Sequence, residues 1–359
     1  MTPEEIKQTA SFLLNKIEEK SSSANEIINR YTESHRYIVG DDRRDLLELV
    51  WKALRNYAKL TYLYPDKTWE ERLESLNGDI AVPDTAPDWV KWESPEWIVS
   101  HVPEADKELP AQNGMAPICL RAYGNRDKVL EDLKAEGLPV RPADQSPFGI
   151  ILEKHANLSA TKAYKKGLVE VQDEGAQLVS MAIGVKPKDD VFDFCAGAGG
   201  KSLILAQLMQ NRGFIQAYDA SPKRLTELVK RARRANISIV KTVPRLPEAH
   251  KKFDHVVVDA PCSGTGTWRR NPDMKWKLTS RQLEQLTKKQ AEILHTAEEY
   301  VKPGHYLTYI TCSITSDENE RQVEHFLEHH PRYHVIHQER FSPCRTNTDG
   351  FFLCIMQKS

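Results

Sequence analysis

At 359 residues the chain is too long for one small domain and suggests two or three. Hydrophobic residues make up 40% and charged residues 28%, a globular balance that excludes an intrinsically disordered chain. The net charge of -1 hides an asymmetry, since residues 1–120 carry 14 Lys+Arg against 22 Asp+Glu, leaving 36 against 29 for residues 121–359. Six scattered cysteines form no CxxC or Cys/His zinc spacing, so neither a structural metal nor a disulfide scaffold is expected. No secretory leader and no apolar run near the ~18 residues of a membrane span are visible, which predicts a cytoplasmic protein with no membrane association.

The first ~75 residues read as helices. Thr2 and Glu5 form a capping box around Pro3, followed by Ile6, Ala10, Leu13, Leu14 and Ile17 at helical spacing. Ser23 and Glu26 open a second helix, and a third begins near Asp42 with Leu46, Leu47, Val50, Trp51, Leu54 and Tyr57 on one stripe. Pro83, Pro87, Pro95, Pro103 and Pro110 then interrupt regular elements and mark a boundary zone. From Ala116 the pattern becomes a small α+β subdomain: a strand at Ile118–Arg121, an amphipathic stretch with Val129, Leu130 and Leu133, and the apolar Ile150–Leu152. After about Val171, strands at 190–195, 213–218, 238–243, 254–259 and 305–312 alternate with helices near 200–212, 222–235 and 280–300. A helix at 317–329 and strands near 333–338 and 351–357 follow. This order predicts an α/β fold with a doubly wound, Rossmann-like sheet. Three segments result: a helical module over 1–110, the α+β subdomain over 111–168 and the large α/β domain over 169–359.

Ligands of such folds bind beyond the carboxyl ends of the strands. The first strand ends in Asp193-Phe194-Cys195-Ala196-Gly197-Ala198-Gly199-Gly200-Lys201-Ser202, whose glycines let the backbone approach a nucleoside closely. The dinucleotide fingerprint GxGxxG lacks its third glycine here. The phosphate loop GxxxxGK[ST] fits at Gly200-Lys201-Ser202 but fails at Cys195. Asp219, 26 residues after Asp193 at the end of the second strand, suits a carboxylate that accepts from ribose hydroxyls; the alternative, capping the helix that begins at Pro222, is more natural for Ser221. S-adenosylmethionine is therefore the leading cofactor.

Two thiols decide the chemistry. The fourth strand ends in Asp259-Ala260-Pro261-Cys262-Ser263-Gly264-Thr265-Gly266 and the fifth in Thr311-Cys312-Ser313, so adjacent parallel strands bring both cysteines to one sheet edge. Carbon 5 of a pyrimidine becomes nucleophilic once a thiolate adds to carbon 6, and a triphosphatase needs no such group. A protonated Asp259 near N3 would help the ring accept electrons. A lone cysteine at a strand end is ordinarily a small buried hydrophobe; two at equivalent strand ends weaken that reading. Sequence chemistry alone leaves the order of the two thiols open.

The runs Asp193–Ser202, Asp259–Pro272 and Thr311–Ser313 closely resemble the RNA 5-methylcytosine methyltransferases of the Nol/Nop/Sun (RsmB/Fmu-like) family, with further likeness at Gln172–Gly175, Glu318-Asn319-Glu320 and Thr348–Phe352. The resemblance implies a class I methyltransferase sheet, Cys312 as nucleophile, Cys262 as the residue assisting product release, and Lys201 and Asp259 against the target base. It implies cofactor contacts from Cys195, Ala196, Gly197, Ala198, Gly199, Gly200, Lys201, Asp219, Arg224 and Asp259, and an RRM-like RNA-binding role for residues 112–168, with Arg121 in its first strand. The implied partner is RNA, ribosomal RNA of the 16S type first and transfer RNA as the substitute; a non-catalytic RNA-binding or ribosome assembly factor is the alternative of a different class. The chain departs from the family pattern at Ala198, where proline is usual, and after the third strand, where Thr242–Pro247 offers no acid for the adenine edge. Trp268, Arg269 and Arg270 are expected to stack a flipped base or grip phosphate. The cation-dense stretch 223–252 suits phosphate tracking or a solvated helix face.

Overall fold

The computed structural model describes residues 1–154, 156–248 and 250–359. The chain divides into two compact units, Met1–Met115 with Thr267–Gln282, and Ala116–Gly266 with Leu283–Ser359.

The first unit is helical. Helix Pro3–Glu19 starts on the predicted capping box, Ser23 caps helix Ala24–Ser34, and helix Gly40–Arg55 begins two residues before Asp42 without a side-chain cap. Leu13, Leu14, Leu46, Val50 and Leu60 are buried in its core, with Trp51 and Tyr57 packed half-buried against it. The proline-rich stretch carries only short helices such as Asp88–Lys91 and Ala105–Ala111. Segment 267–282 belongs here, a membership that reading in chain order does not find. Asp273 accepts from the Ala24 N–H (2.8 Å), Trp276 stacks on Tyr57 (4.7 Å between centroids), and the Lys275 ammonium donates to the Glu93 carbonyl (3.1 Å) and to Asn113 (2.9 Å).

The second unit holds two sheets. Strands β1 (Ile118–Ala122), β2 (Val140–Pro142), β3 (Gly149–Leu152) and β4 (Val169–Val171) form an antiparallel sheet in the order β2-β3-β1-β4, backed by helix Arg126–Ala135. The small sheet therefore runs on to Val171. The large sheet comprises β5 (Asp190–Asp193), β6 (Phe214–Tyr218), β7 (Val240–Val243), β8 (Phe253–Asp259), β9 (Val301–Thr311), β10 (Tyr333–Phe341) and β11 (Phe351–Lys358), ordered β10-β11-β9-β8-β5-β6-β7. Strands β5 to β9 pair in parallel, and β11 runs antiparallel between β9 and β10.

Strand alternation sends successive residues to opposite faces. Phe192, Val256, Val258, Leu307 and Tyr309 pack with Ile293 and Leu294 of helix Ser280–Ala297 and with Val323 and Phe326 of helix Glu320–His329. Val191, Val257, Ile310 and Leu353 pack with Val179 of helix Glu174–Ala182 and with Leu205 of helix Gly200–Leu208. Both faces are covered, which is why Val256-Val257-Val258 reads as an unbroken apolar run. Among the described residues, no helix is long and apolar enough to cross a membrane.

Candidate active site

Four adjacent parallel strands, β9, β8, β5 and β6, deliver the predicted loops to one edge of the sheet. A cavity of about 710 Å³ opens there, its lining including Gly197, Asp219, Asp259, Cys262 and Cys312. That volume lies in the range of small-molecule sites.

The loop after β5 is shaped for close approach. Gly197 and Gly199 have φ of +54° and +87°, and a Cβ at Gly199 would lie 2.6 Å from Leu228. Asp219 is buried and accepts from the Gly197 N–H (2.8 Å), the Ser221 N–H (2.8 Å) and Arg224 (3.3 Å). Ser221, not Asp219, occupies the cap position of helix Pro222–Arg234. Asp193 is fully buried, and burial pushes its carboxyl up to about 7 while Ser202 donates to it at 2.5 Å. Burial also raises the Cys195 thiol, which keeps it protonated and inert. No acid lies between the end of β7 and Pro247; Leu246 lines the cavity there instead.

Lys201 is buried, its ammonium 2.7 Å from Asp259 and over the Phe351 ring at 5.3 Å. Lys201 and Asp259, expected to meet the target base, thus meet each other at this edge. The same contact argues against a triphosphate. The lysine that would meet phosphates is tied to a carboxylate, and Asp219 and Asp259 together repel polyanions while suiting ribose hydroxyls and a cationic group.

The two sulfurs meet. Cys262 Sγ and Cys312 Sγ are 3.3 Å apart, both half-buried at the cavity, and the Cys312 N–H donates to Cys262 Sγ at 3.3 Å. The hydrogen bond with Cys312 and then burial hold the Cys262 thiol well above its ordinary pKa. The Gly266 N–H donates to the Cys312 carbonyl (2.9 Å), and the Gly266 carbonyl accepts from the Gly350 N–H (2.7 Å), tying both thiol loops to the Thr348–Gly350 turn.

Three expected RNA contacts are not available as drawn. Arg121 is fully buried and donates to Gln207 (2.5 Å) and the Tyr123 hydroxyl (2.7 Å), so it joins the small sheet to helix Gly200–Leu208. Trp268 and Arg269 are buried; Arg269 donates to the Met115 carbonyl and accepts from Arg55 through its own carbonyl, and Arg270 is half-buried. Burial for packing has won over exposure for stacking at these positions. The cationic stretch is divided: Arg231 donates to the Ala198 carbonyl (2.7 Å) and Arg234 clasps Glu170 (2.6 and 2.7 Å), whereas Lys223, Lys230 and Arg233 stay exposed. Sequence reasoning assigned no role to Glu318 and Asn319, which are buried under both thiol loops. Their presence in a shared run was the available signal.

The family model for 16S rRNA methyltransferase RsmB/F matches residues 180–357. Ribosomal RNA small subunit methyltransferase B of Vibrio vulnificus (strain YJ016) is 31% identical over 287 residues, covering 75% of this chain and 67% of that protein. The chain belongs to the RsmB/F methyltransferase family. The namesake from Proteus mirabilis (strain HI4320) is 31% identical over 277 residues, covering 74% of this chain and 65% of its own length. The chain thus spans about two thirds of the length of these RsmB/F relatives. In fold it is similar to the crystal structure of PH0851, with a TM-score of 0.83 at 22% identity over 100% of this chain and 99% of that one. It is also similar to a methyltransferase homolog protein from Pyrococcus horikoshii, with a TM-score of 0.67 at 22% identity over 78% and 100%. Both likenesses support the Rossmann-like methyltransferase sheet expected of the RsmB/F family.

Proposed function

We propose that the chain methylates carbon 5 of a cytosine in RNA, with ribosomal RNA of the 16S type as substrate and S-adenosylmethionine as methyl donor, in the cytoplasm. The observation that carries this reading is the pair of sulfurs 3.3 Å apart on the same cavity as Asp219 and the glycine loop. The residues fit the cofactor: Asp219 for the ribose hydroxyls, the Gly197–Gly199 backbone for close approach, and Leu246 for an apolar ring face. Bound there, it supplies a methyl group made electrophilic by a sulfonium.

Cys312 is the nucleophile. Its sulfur bonds to carbon 6 of the target ring, the carbon 5–carbon 6 π pair shifts toward carbon 4 and N3, and the resulting enamine carbon 5 can take the methyl, the donor keeping the electron pair of the bond it gives up. Lys201, held by Asp259, offers a proton to the ring edge where that charge gathers. Cys262 then acts at release. While Cys312 is free, its sulfur is the largest influence holding the proton on Cys262. Once Cys312 is committed to a carbon–sulfur bond that influence falls away, burial and Glu318 still opposing ionisation, and Cys262 gives its proton to water at the open cavity with the Cys312 N–H aimed at the sulfur. It removes the carbon 5 proton, the electron pair restores the ring double bond, and Cys312 leaves as thiolate. Incubation with methyl-labelled cofactor and unmodified 16S rRNA tests the reading. Label in 5-methylcytosine is the expected result; label in another base, or only in transfer RNA, overturns the corresponding part.

A further inference from the structure

Two neighbouring side chains hold the segments on both sides of both thiols. Glu318 is fully buried, and its carboxylate accepts four hydrogen bonds. One oxygen takes the Ser263 N–H (2.8 Å) and Gln290 Nε2 (2.9 Å); the other takes the Ser263 hydroxyl (2.5 Å) and the Thr315 hydroxyl (3.2 Å). Gln290 Nε2 also donates to the Pro261 carbonyl (3.0 Å), so the residues before and after Cys262 are both fixed through this carboxylate. Asn319, also fully buried, does the same for Cys312. Its Oδ1 accepts from the Thr311 hydroxyl (2.6 Å) and its Nδ2 donates to the Ser313 carbonyl (2.9 Å).

We propose that Glu318 and Asn319 form one positioning element that sets the separation of the two sulfurs, Glu318 fixing the release thiol and Asn319 the nucleophile. The chemistry of each residue is matched to its task. Ser263 N–H and Gln290 Nε2 demand an acceptor on one arm, so a glutamine would have to turn its NH2 group to the other, where the Ser263 and Thr315 hydroxyls must reverse from donating to accepting and give up their bonds to a charged oxygen. Asn319 needs one arm of each kind, so an aspartate would set an oxygen against the Ser313 carbonyl. Both side chains leave one helix start, the helix Glu320–His329 following directly, and the Tyr309 hydroxyl fixes the backbone between them by donating to the Glu318 carbonyl (2.7 Å). A shift at this single point moves both sulfurs together, whereas loss of one side chain frees one sulfur from the other.

The inference rests on the proposed roles of the two thiols, and it divides the variants by step. Glu318→Gln is expected to slow release about tenfold to a hundredfold and to accumulate a denaturant-stable RNA adduct, as Cys262→Ala does. Asn319→Asp is expected to slow adduct formation by a similar factor and to accumulate none. Cofactor affinity, measured on the same samples, should stay near wild type, while the mismatched buried groups lower thermal unfolding by a few degrees. Should Glu318→Gln not fold, Ser263→Ala removes one of its donors from the other side and is expected to give the weaker form of the same adduct. A second readout needs no RNA: the pH profile of Cys262 alkylation, followed by peptide mass spectrometry. The groups facing Cys262 are Cys312, Glu318 and Tyr309, and loss of the Glu318 charge is expected to speed alkylation at pH 8 at least about threefold. Adduct trapped by Cys262→Ala but absent from both Glu318→Gln and Ser263→Ala, or an unchanged alkylation profile, overturns the positioning role alone. Failure of Cys262→Ala to trap any adduct overturns the functional reading instead, and leaves the alkylation profile to judge Glu318.

Discussion

Replacing Gly266 by alanine puts a methyl group where the Gly350 carbonyl already lies. The new Cβ would sit 2.2 Å from that oxygen and 2.7 Å from its carbon, and ordinary contact begins near 3.4 Å, so the two backbones must part by about 1.2 Å (3.4 − 2.2). No flexible side chain can absorb this, because both partners are main chain. Gly266 is bonded to the Cys312 carbonyl and to the Gly350 N–H, so the displacement passes into the thiol loops. Overpacking of this kind costs about 1–3 kcal/mol of stability. A 1 Å misplacement of reacting groups costs about a hundredfold in rate. The expectation for Gly266→Ala is therefore a Tm lower by several degrees, kcat down by about two orders of magnitude, and a cofactor Kd within a factor of about three of wild type, since the Asp193–Gly200 loop is held separately. Methyl transfer to unmodified 16S rRNA, isothermal titration with the cofactor and a thermal melt supply the three numbers. A variant that turns over within threefold of wild type would show that the loop contact does not set the sulfur positions.

Glu170→Ala leaves the Arg231 and Arg234 guanidiniums without their shared, buried carboxylate, and should cost about 2–4 kcal/mol in denaturant unfolding. Because Arg231 also holds the Ala198 carbonyl, cofactor affinity should fall with it; unchanged stability would contradict the buried-pair reading. Asp219→Asn removes the charge that receives Gly197 and Arg224, and titration should show a cofactor Kd weaker by about tenfold to a hundredfold with kcat at saturation largely kept. Asp193 gives a pH prediction. Burial raises its folded pKa to about 7 from an ordinary 3.8, so the folded state holds an extra proton between those values, and stability falls as pH rises through that window. Asp193→Asn should gain on wild type between pH 4 and pH 7, by at most about 4 kcal/mol, and run parallel to it above; a constant difference across that range would refute the assignment.

Much of the large sheet was legible because its strands are buried on both faces and its loops carry glycine, proline and serine at fixed points. The short continuous apolar runs at 191–192 and 256–258 place themselves, and the loops after them then share one sheet edge by topology. The thiol pair was legible for the same reason. What was not legible depends on contacts distant in sequence. Arg121 and Arg269 look like surface cations, and only the three-dimensional packing supplies Tyr123, Gln207 and Met115 to bury them. The Lys201–Asp259 contact was not legible because the two residues come from different strand ends, 58 residues apart (259 − 201). Segment 267–282 carries no composition change where it joins the helical unit, so a division by chain order missed it. Glu318 and Asn319 read as ordinary polar residues at a helix start, and their task shows only in the eight bonds around them and their neighbours.

The most direct measurement is the identity of the sulfur that joins the RNA. Cys262→Ala should be incubated with cofactor and unmodified RNA, denatured and digested, and the linked peptide sequenced by mass spectrometry. The account predicts a single adduct, through Cys312 to carbon 6 of a cytosine already methylated at carbon 5. A full rate of methyl transfer by Cys312→Ala, or an adduct through any other residue, would contradict it.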